Sequence, residues 1–240
     1  MKIGFVIPAR YASNRFPGKP LAKIKGIPML LRTYRQCVKA VGHKDLYVAT
    51  DSKKIVEFCK KNKIKYCLTS NKCLTGTDRV AEFSKKVNYS NYINIQGDEP
   101  IFNPKDLKKL INETKKKPHL VLGGYCRIKK KNDFFDLSIP KVIFNENNHL
   151  LYMSRSPIPG NKKNKFIKGF RQVCAYSYPK KTLNIFYKRK KKPFLEKFED
   201  LELLGFLEKS IKVKMIEMSD KSISVDHPED IKKVEKKLKI

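Results

Sequence analysis

A loop rich in cations and small residues follows the first apolar run of the chain. Residues 3–7 are apolar, and the loop at residues 7–21 carries Arg10, Arg15 and Lys19. Small residues let backbone N–H groups approach an anion, and the cations neutralise its charge. The spacing fits neither a P-loop nor a Gly-x-Gly-x-x-Gly loop. An ordinary basic surface loop is the alternative, but its place after the first strand favours a polyphosphate-binding site.

Two aspartates occupy positions that suit a hard cation. Asp98 directly follows an apolar run at residues 92–95, and Asp226 precedes a helical pattern at residues 228–238. Mg²⁺ takes oxygen ligands and retains waters and phosphate oxygens, so one or two carboxylates are enough to hold it. A turn acid and an ordinary helix start are the alternatives. We expect both carboxylates at one Mg²⁺.

A third polar segment, Thr-Gly-Thr-Asp-Arg at residues 75–79, opens a helical pattern. Alone it predicts no more than a helix cap by Thr77 or Asp78. Together with the basic loop and the two aspartates, it predicts a site for a nucleoside triphosphate. A substrate oxygen would attack the α-phosphorus in line, which asks the protein for positioning and charge rather than for a covalent nucleophile.

Strand and helix patterns alternate through the first half of the chain. The predicted strands are residues 3–7, 46–49, 64–68 and 92–95, and the predicted helices are residues 28–41, 55–59, 80–83 and 106–111. This order predicts an α/β fold with a doubly wound, mainly parallel sheet. The second half is less regular, with predicted strands at residues 120–127, 141–144, 149–153 and 213–217 and predicted helices at residues 195–207 and 228–238.

The net charge is extreme, at +31 over 240 residues. The lysines are dispersed, as a coding bias or solvated helix faces would produce, and they would attract anions non-specifically. An RNA-binding protein is the alternative from another functional class. However, the chain lacks an aromatic-basic motif of the RRM type, and we expect no specific nucleic-acid partner.

The cysteines and the hydropathy profile point to a reducing compartment. The six cysteines form no Cys-x-x-Cys pair, and they and the four histidines have no zinc-site spacing. Reduced thiols in apolar surroundings favour the cytoplasm. No apolar run approaches the roughly 20 residues of a membrane span, so we expect no membrane association.

Four motifs in order resemble the 3-deoxy-manno-octulosonate cytidylyltransferase (CMP-Kdo synthetase) family. They are Ile-Pro-Ala-Arg through Gly-Lys-Pro-Leu, Gly-Thr-Asp-Arg, Gln-Gly-Asp-Glu-Pro and Val-Asp-x-Pro-Glu-Asp, at residues 7–21, 76–79, 96–100 and 225–230. Residues 151–159 are also similar to a family segment. The resemblance covers essentially the whole chain and implies the nucleotide-diphospho-sugar transferase fold, with one cytidylyltransferase domain at residues 1–240. It also implies a homodimer, with residues near 120–200 serving acceptor binding and dimerisation.

The resemblance assigns roles to individual residues. The residues implied to bind CTP are Ala9, Arg10, Ser13, Arg15, Lys19, Gly76, Thr77, Asp78 and Arg79. The residues implied to face the sugar acid are Gln96, Arg155, Gln172, Tyr176, Glu202 and Leu203. Asp98 and Asp226 would bind Mg²⁺ and, with Arg10 and Lys19, form the catalytic set. No side chain is a convincing general base, and we expect metal coordination to lower the pKa of the attacking hydroxyl.

The chain departs from the family pattern on the presumed acceptor side. Gln172 stands where a histidine is expected, and Ser138 replaces an asparagine. Where the family has Leu-Glu-Gln-Leu-Arg, residues 201–205 are Leu-Glu-Leu-Leu-Gly. These changes suggest either sequence drift within an enzyme for 3-deoxy-manno-octulosonate (Kdo) or a modified acceptor such as an 8-amino form. The expected product is a CMP-linked sugar acid for lipopolysaccharide or capsule; a cytidylyltransferase for another nonulosonic, sialic-like acid is the alternative.

Overall fold

The computed structural model describes residues 1–12 and 16–238. Within these residues a nine-stranded sheet has the order β11-β7-β10-β6-β1-β4-β5, with β8 paired to β10 and β9 paired to β8, and β2 and β3 form a separate hairpin. The strands are β1 (Ile3–Ala9), β2 (Lys23–Ile24), β3 (Ile27–Pro28), β4 (Leu46–Thr50), β5 (Tyr66–Leu68), β6 (Asn91–Ile95), β7 (Val121–Arg127), β8 (Lys141–Phe144), β9 (Leu150–Ser154), β10 (Phe170–Pro179) and β11 (Val213–Glu217).

The parallel half of the sheet confirms the predicted α/β class. The strand β1 lies between β4 and β6 and is parallel to both. All seven of its residues are buried, as expected for a strand covered by helices on both faces. Because β1, β4 and β6 run in the same direction, their carboxyl ends meet at one edge of the sheet. The loops that bear the predicted site residues leave from that edge.

The strand β10 is not among the predicted elements. It lies between β6 and β7 and is antiparallel to both, which makes the second half of the sheet mixed. Its register with β7 shifts between Val173 and Tyr176. Such a bulge re-aims side chains locally, and it lies beside Gln172 in this strand.

The helices that cover the sheet are α1 (Met29–Val41), α2 (Lys53–Lys61), α3 (Gly76–Lys86), α4 (Pro104–Lys116), α5 (Lys131–Phe135), α6 (Phe194–Glu199), α7 (Leu204–Leu207) and α8 (Asp230–Lys237). Two short 3₁₀ segments occur at Lys19–Leu21 and Lys180–Ile185. Apolar side chains from both faces of the sheet form the core, with α1 and α4 on one face and α3 on the other.

Three predicted helix boundaries are wrong in detail. The N-cap of α3 is Thr75, whose side chain accepts from the N–H of Asp78, rather than Thr77 or Asp78. The predicted helix at residues 195–207 is two helices, because Asp200 adopts the left-handed conformation with φ 53°. The predicted helix at residues 228–238 begins two residues later, at Asp230, whose side chain accepts from the N–H groups of Asp226 and His227.

The cysteine and hydropathy predictions can be compared with the structure directly. All six cysteines are free thiols, and Cys37, Cys59 and Cys126 are buried. Burial raises the pKa of the Cys37 thiol to about 12, as expected of a thiol in the core. Across the described part of the chain, no helix is long and apolar enough to cross a bilayer.

Candidate active site

The two predicted metal-binding aspartates meet at one lysine. The Nζ atom of Lys19 donates to Asp98 Oδ2 at 2.6 Å and lies 3.7 Å from Asp226 Oδ1. It also donates to the carbonyl of Val225 at 2.9 Å. These residues are far apart in sequence, but all of them contact the ammonium group of Lys19. The structure therefore brings together the basic loop and both acids.

Backbone contacts fix this convergence. Asp98 leaves the carboxyl end of β6, and its carbonyl accepts from the N–H of Val225 at 3.0 Å. Between Gln96 and Asp98, Gly97 approaches β1 so closely that a Cβ there would lie 2.9 Å from the carbonyl oxygen of Pro8. The Asp98 loop is therefore packed against the start of the basic loop, with no room for a larger residue.

A cavity of about 500 Å³ opens beside this cluster. The predicted site residues that line it are Ala9, Arg10, Lys19, Gly76, Arg79, Gln96, Asp98 and Glu202. Together with Lys192, its wall thus combines four cations with carboxylates and backbone from the start of α3. Such a wall suits a charged, hydrogen-bonding ligand rather than an apolar one. Ser13 and Arg15 lie outside the described residues.

Glu202 anchors the first turn of α3 to the cavity wall. Its carboxylate accepts from the N–H of Gly76 at 3.2 Å and of Thr77 at 2.8 Å, and Thr77 Oγ1 also donates to it. A carboxylate at a helix N-terminus is favoured by the helix dipole. The pKa of Glu202 is nevertheless raised to about 7, chiefly by burial and in part by the nearby acids Asp78 and Glu196, while the hydrogen bonds from Thr77 act to lower it. Glu202 is thus poised to change charge near neutral pH.

The remaining residues of the Gly-Thr-Asp-Arg motif bind other protein groups. Arg79 is buried, pairs with Asp51 at 3.0 Å, and donates to Thr69. Thr77 also contacts the Tyr178 hydroxyl at 2.9 Å. Asp78 is only 4% exposed, and like Thr77 it is not among the described residues that line the cavity. The motif therefore forms and braces the wall, and Gly76 and Arg79 are its members that face the cavity.

A second cavity, of about 620 Å³, lies on the other side of the aspartate pair and is lined by Asp226, Glu99 and Gln172. Glu99 is 3% exposed and accepts from the Ser222 hydroxyl. Burial raises the pKa of Glu99 to about 7, and the charges of Asp98 and Asp226 also favour its neutral form. Because Asp98 lines the first cavity and Asp226 the second, the aspartate pair lies where the two cavities adjoin.

The predicted sugar-acid residues divide between the two cavities and the interior. Gln96 and Glu202 line the first cavity, and Gln172 lines the second. Gln172 Nε2 donates to the hydroxyl of Tyr176 at 2.6 Å, and both residues are buried. Their predicted contact with an acceptor stays a prediction.

The other two predicted acceptor residues are not among the described residues that line either cavity. Arg155 donates through Nε to the carbonyl of Glu199 at 2.7 Å. Leu203 is fully buried in the core, where a Cβ on Gly123 would meet its Cδ1 at 2.9 Å. In this structure Leu203 is thus a packing residue.

One cluster beside the first cavity was not predicted. Arg189 donates through Nε and Nη2 to both carboxylate oxygens of Asp78, and through Nη1 and Nη2 to both oxygens of Glu196. It lies in a lysine-rich segment, and its pairing with Asp78, 111 residues away, and with Glu196, 7 residues away, distinguishes it from its neighbours. Lys192 and Asp200, which line the first cavity, were also not predicted.

The aspartate pair fits the requirements of Mg²⁺. Within the described residues no group of three or more His, Cys, Asp or Glu side chains could hold a metal ion. Mg²⁺ does not need such a cage, because it is held by one or two carboxylates with waters and substrate phosphates. Asp98 and Asp226 supply that donor set beside a cation-lined cavity.

Comparisons with known proteins agree on one family. A cytidylyltransferase family model matches residues 5–220. A 3-deoxy-manno-octulosonate cytidylyltransferase of Thermodesulfovibrio yellowstonii is 38% identical, over 96% of each chain. An 8-amino-3,8-dideoxy-manno-octulosonate cytidylyltransferase of Shewanella putrefaciens is 37% identical, over 99% of each chain. A structure of CMP:2-keto-3-deoxy-manno-octonic acid synthetase complexed with CTP superposes with a TM-score of 0.90 at 32% identity, covering 100% of this chain and 99% of that chain.

Proposed function

The chain belongs to the 3-deoxy-manno-octulosonate cytidylyltransferase family, and from this premise we propose that it transfers CMP from CTP to the anomeric hydroxyl of Kdo or its 8-amino form, releasing pyrophosphate. Its fold is that of the nucleotide-diphospho-sugar transferases, and it is a nucleotidyltransferase. The observation that carries the proposal is the meeting of Asp98 and Asp226 at Lys19. Relatives named for Kdo and relatives named for its 8-amino form match almost equally well, and the proposal therefore takes either sugar acid as the acceptor.

CTP would occupy the first cavity. Arg10 and Lys19 would hold its triphosphate, and Lys19 would stabilise the departing pyrophosphate by its positive charge. Gly76 and Arg79 would face the cytosine and ribose, with Thr77 and Asp78 bracing them from behind. Ser13 and Arg15, in the same loop motif, would complete the phosphate contacts.

Asp98 and Asp226 would hold Mg²⁺ at the junction of the two cavities. Bound there, Mg²⁺ would neutralise phosphate charge and lower the pKa of a coordinated hydroxyl. The chain's own residues position the reactants: Lys19 fixes both carboxylates, and the Asp98–Val225 backbone contact fixes their separation. This arrangement suits in-line displacement, which depends on alignment and charge.

The acceptor would bind with its anomeric hydroxyl beside the aspartate pair. Gln96 and Glu202 lie on the nucleotide side of the pair, and Gln172 lies in the second cavity, supported by Tyr176. Arg155 would have to leave its present backbone partner to pair with the sugar carboxylate. Leu203 would act through packing.

We further propose that the enzyme is a cytoplasmic homodimer serving lipopolysaccharide or capsule synthesis. Free buried thiols agree with a reducing compartment. Phe194 and Phe198 of α6 are 68% and 72% exposed with their ring centroids 4.7 Å apart, and Leu151 of β9 is 59% exposed. Exposed apolar side chains of this kind are typical of a subunit contact.

Pyrophosphate release tests the proposal directly. Purified protein is incubated with CTP and Mg²⁺, with Kdo, its 8-amino form or a sialic acid as acceptor, and pyrophosphate is measured with and without the sugar. We expect release that requires CTP, Mg²⁺ and one of the two Kdo forms. Release only with the sialic acid would support the nonulosonic alternative. No release, together with salt-sensitive RNA binding, would favour the RNA-binding alternative.

The variant Gln172→His asks which acceptor the chain prefers. Gln172 faces the second cavity and is held by Tyr176. If this residue selects the acceptor, the variant changes the ratio of kcat/KM between the two Kdo forms while KM for CTP stays constant. Unchanged ratios would assign Gln172 to sequence drift.

A further inference from the structure

Two buried carboxylates beside the nucleotide cavity share one guanidinium. The side chains of Asp78 and Glu196 are 4% and 0% exposed, and that of Arg189 is 11% exposed. Arg189 makes four hydrogen bonds of 2.5–2.8 Å to them, two to each carboxylate. Two bidentate pairs of this kind use the planar geometry of the guanidinium, and a lysine ammonium cannot form them. Without the guanidinium, the two buried carboxylates would be left without a countercharge.

An aromatic ring also packs against the face of the guanidinium. Its Cζ lies 4.2 Å from the centroid of the Phe186 ring, and that ring packs on Phe206 with centroids 4.7 Å apart. Arginine is favoured over lysine in such a stack. Arg189 is therefore fixed both by its hydrogen bonds and by its packing, although its neighbours along the chain are lysines.

The shared guanidinium joins two separate parts of the cavity wall. Asp78 bonds reciprocally with Thr75, which lines the first cavity at the start of α3. Glu196 lies in α6, just before Asp200 and Glu202, which line the same cavity. Moving the guanidinium would release both segments of the wall at once.

Gly205 leaves room for the carboxylate that Arg189 binds. A Cβ at Gly205 would overlap Glu196 Oε2 and would lie 3.1 Å from Phe186 Cζ, so the Glu196 carboxylate fills the space where a side chain at 205 would start. A side chain at 205 would therefore displace Glu196 from its contact with Arg189.

We propose that Arg189 is a positioning residue of the nucleotide site. It acts through Asp78 and Glu196 on the wall that faces CTP, and it does not contact the reacting atoms. This inference rests on the proposed function only in taking the first cavity as the CTP site. It predicts that displacing Glu196 from Arg189 weakens CTP binding, as weakening the guanidinium does.

A double-mutant series tests the inference. The variants are Arg189→Lys, Arg189→Met, Gly205→Ala and the double variant Arg189→Lys/Gly205→Ala, with Lys190→Met as a matched control at an exposed neighbour. For each, the Kd of CTP is measured by calorimetry without acceptor, kcat and KM by pyrophosphate release, and Tm by thermal unfolding. The Kd does not depend on turnover.

We expect Arg189→Lys to fold and to raise both the Kd and the KM of CTP about tenfold, equivalent to about 1.4 kcal/mol. Its kcat at saturating CTP stays within about twofold of wild type, because the reacting groups are intact. Arg189→Met lowers the Tm and weakens CTP more, or fails to fold. Gly205→Ala also weakens CTP, because its Cβ displaces Glu196, and the double variant loses less CTP affinity than the sum of the two single changes, because both act on one contact. Lys190→Met behaves as wild type.

Two results would overturn the inference. One is a CTP Kd in Arg189→Lys equal to that of wild type, which would leave Arg189 with only a packing role. The other is additive loss of CTP affinity in the double variant, which would mean that positions 189 and 205 do not act through the same Glu196 contact. A wild-type protein that releases no pyrophosphate would instead refute the proposed function, and the CTP affinities of the variants would still decide the role of Arg189.

Discussion

Glu202→Gln tests how burial beside α3 controls a carboxyl group. Burial raises the pKa of Glu202 from its ordinary 4.5 to about 7. Between these values the folded state keeps a proton that the unfolded chain has lost. Because the folded state then binds more protons, raising the pH through this window lowers the free energy of unfolding. Above pH 7 the carboxyl is ionised in both states, and the loss is complete.

The size of the effect follows from the width of the window. Each pH unit contributes about 1.4 kcal/mol, which over this window gives about 3 kcal/mol for a fully buried group. The oxygens of Glu202 face the cavity in part, and hydration lowers the expected effect to about 1–3 kcal/mol. Glutamine is neutral at every pH and makes no such pH-dependent contribution to the free energy of unfolding. Between pH 5 and pH 8, wild type should therefore lose about 1–3 kcal/mol more stability than Glu202→Gln.

Urea unfolding of both proteins at pH 5 and pH 8, at one protein concentration and without CTP, measures this difference. The amide forms weaker hydrogen bonds than the carboxylate, but this lowers the free energy of unfolding at both pH values and cancels in the difference between them. The titration of Glu99 occurs in both proteins and cancels as well. Glu57→Gln, at an exposed glutamate on α2, is the control and should follow wild type. Equal pH dependence in wild type and Glu202→Gln would refute the reasoning.

Three further predictions concern the site. Replacing Asp98 or Asp226 by asparagine should lower turnover at saturating substrates by at least about 100-fold, measured as pyrophosphate release across Mg²⁺ concentrations; full activity in either variant would contradict the shared metal site. Gly97→Ala should lower the free energy of unfolding by about 1–3 kcal/mol in urea, because its Cβ would lie 2.9 Å from the Pro8 carbonyl oxygen; an unchanged midpoint would count against that close approach. Cys73 lines the first cavity, and burial raises its pKa to about 12; its alkylation at pH 8 should therefore be slow by mass spectrometry, and slower still with CTP, whereas rapid modification would be inconsistent with this environment.

The parallel half of the fold was predictable because its signals are local. Each buried strand there is a short apolar run, and each is followed by a helical pattern. The strand β10 carries no such signal: Phe170–Pro179 is rich in tyrosine and polar residues, and its partners are far away in sequence. The break at Asp200 is equally hidden, because the turn contains neither glycine nor proline and depends on surrounding contacts.

The meeting of Asp98 and Asp226 was predictable for a different reason. Polar residues at the carboxyl ends of neighbouring parallel strands converge at one sheet edge, so position in the alternating pattern was sufficient for Asp98. The expectation for Asp226 came from a mechanism that needs a second carboxylate on Mg²⁺, and the family's order of motifs agreed with it. The pairing of Arg189 with Asp78 and Glu196 could not be predicted, because no periodicity relates a residue in a lysine run to two acids elsewhere.

The structure separates the departures from the family pattern into two groups. Leu203 lies in the core, and Gly205 is filled by the Glu196 carboxylate, so both changes are explained by packing within this chain. Gln172 and Ser138, by contrast, both line the second cavity, next to Asp226. An acceptor whose anomeric hydroxyl lies at the aspartate pair would extend past these two residues. Acceptor selectivity in this chain is therefore better sought at Gln172 and Ser138 than along the 201–205 segment, whose changes are accommodated by packing beside the first cavity.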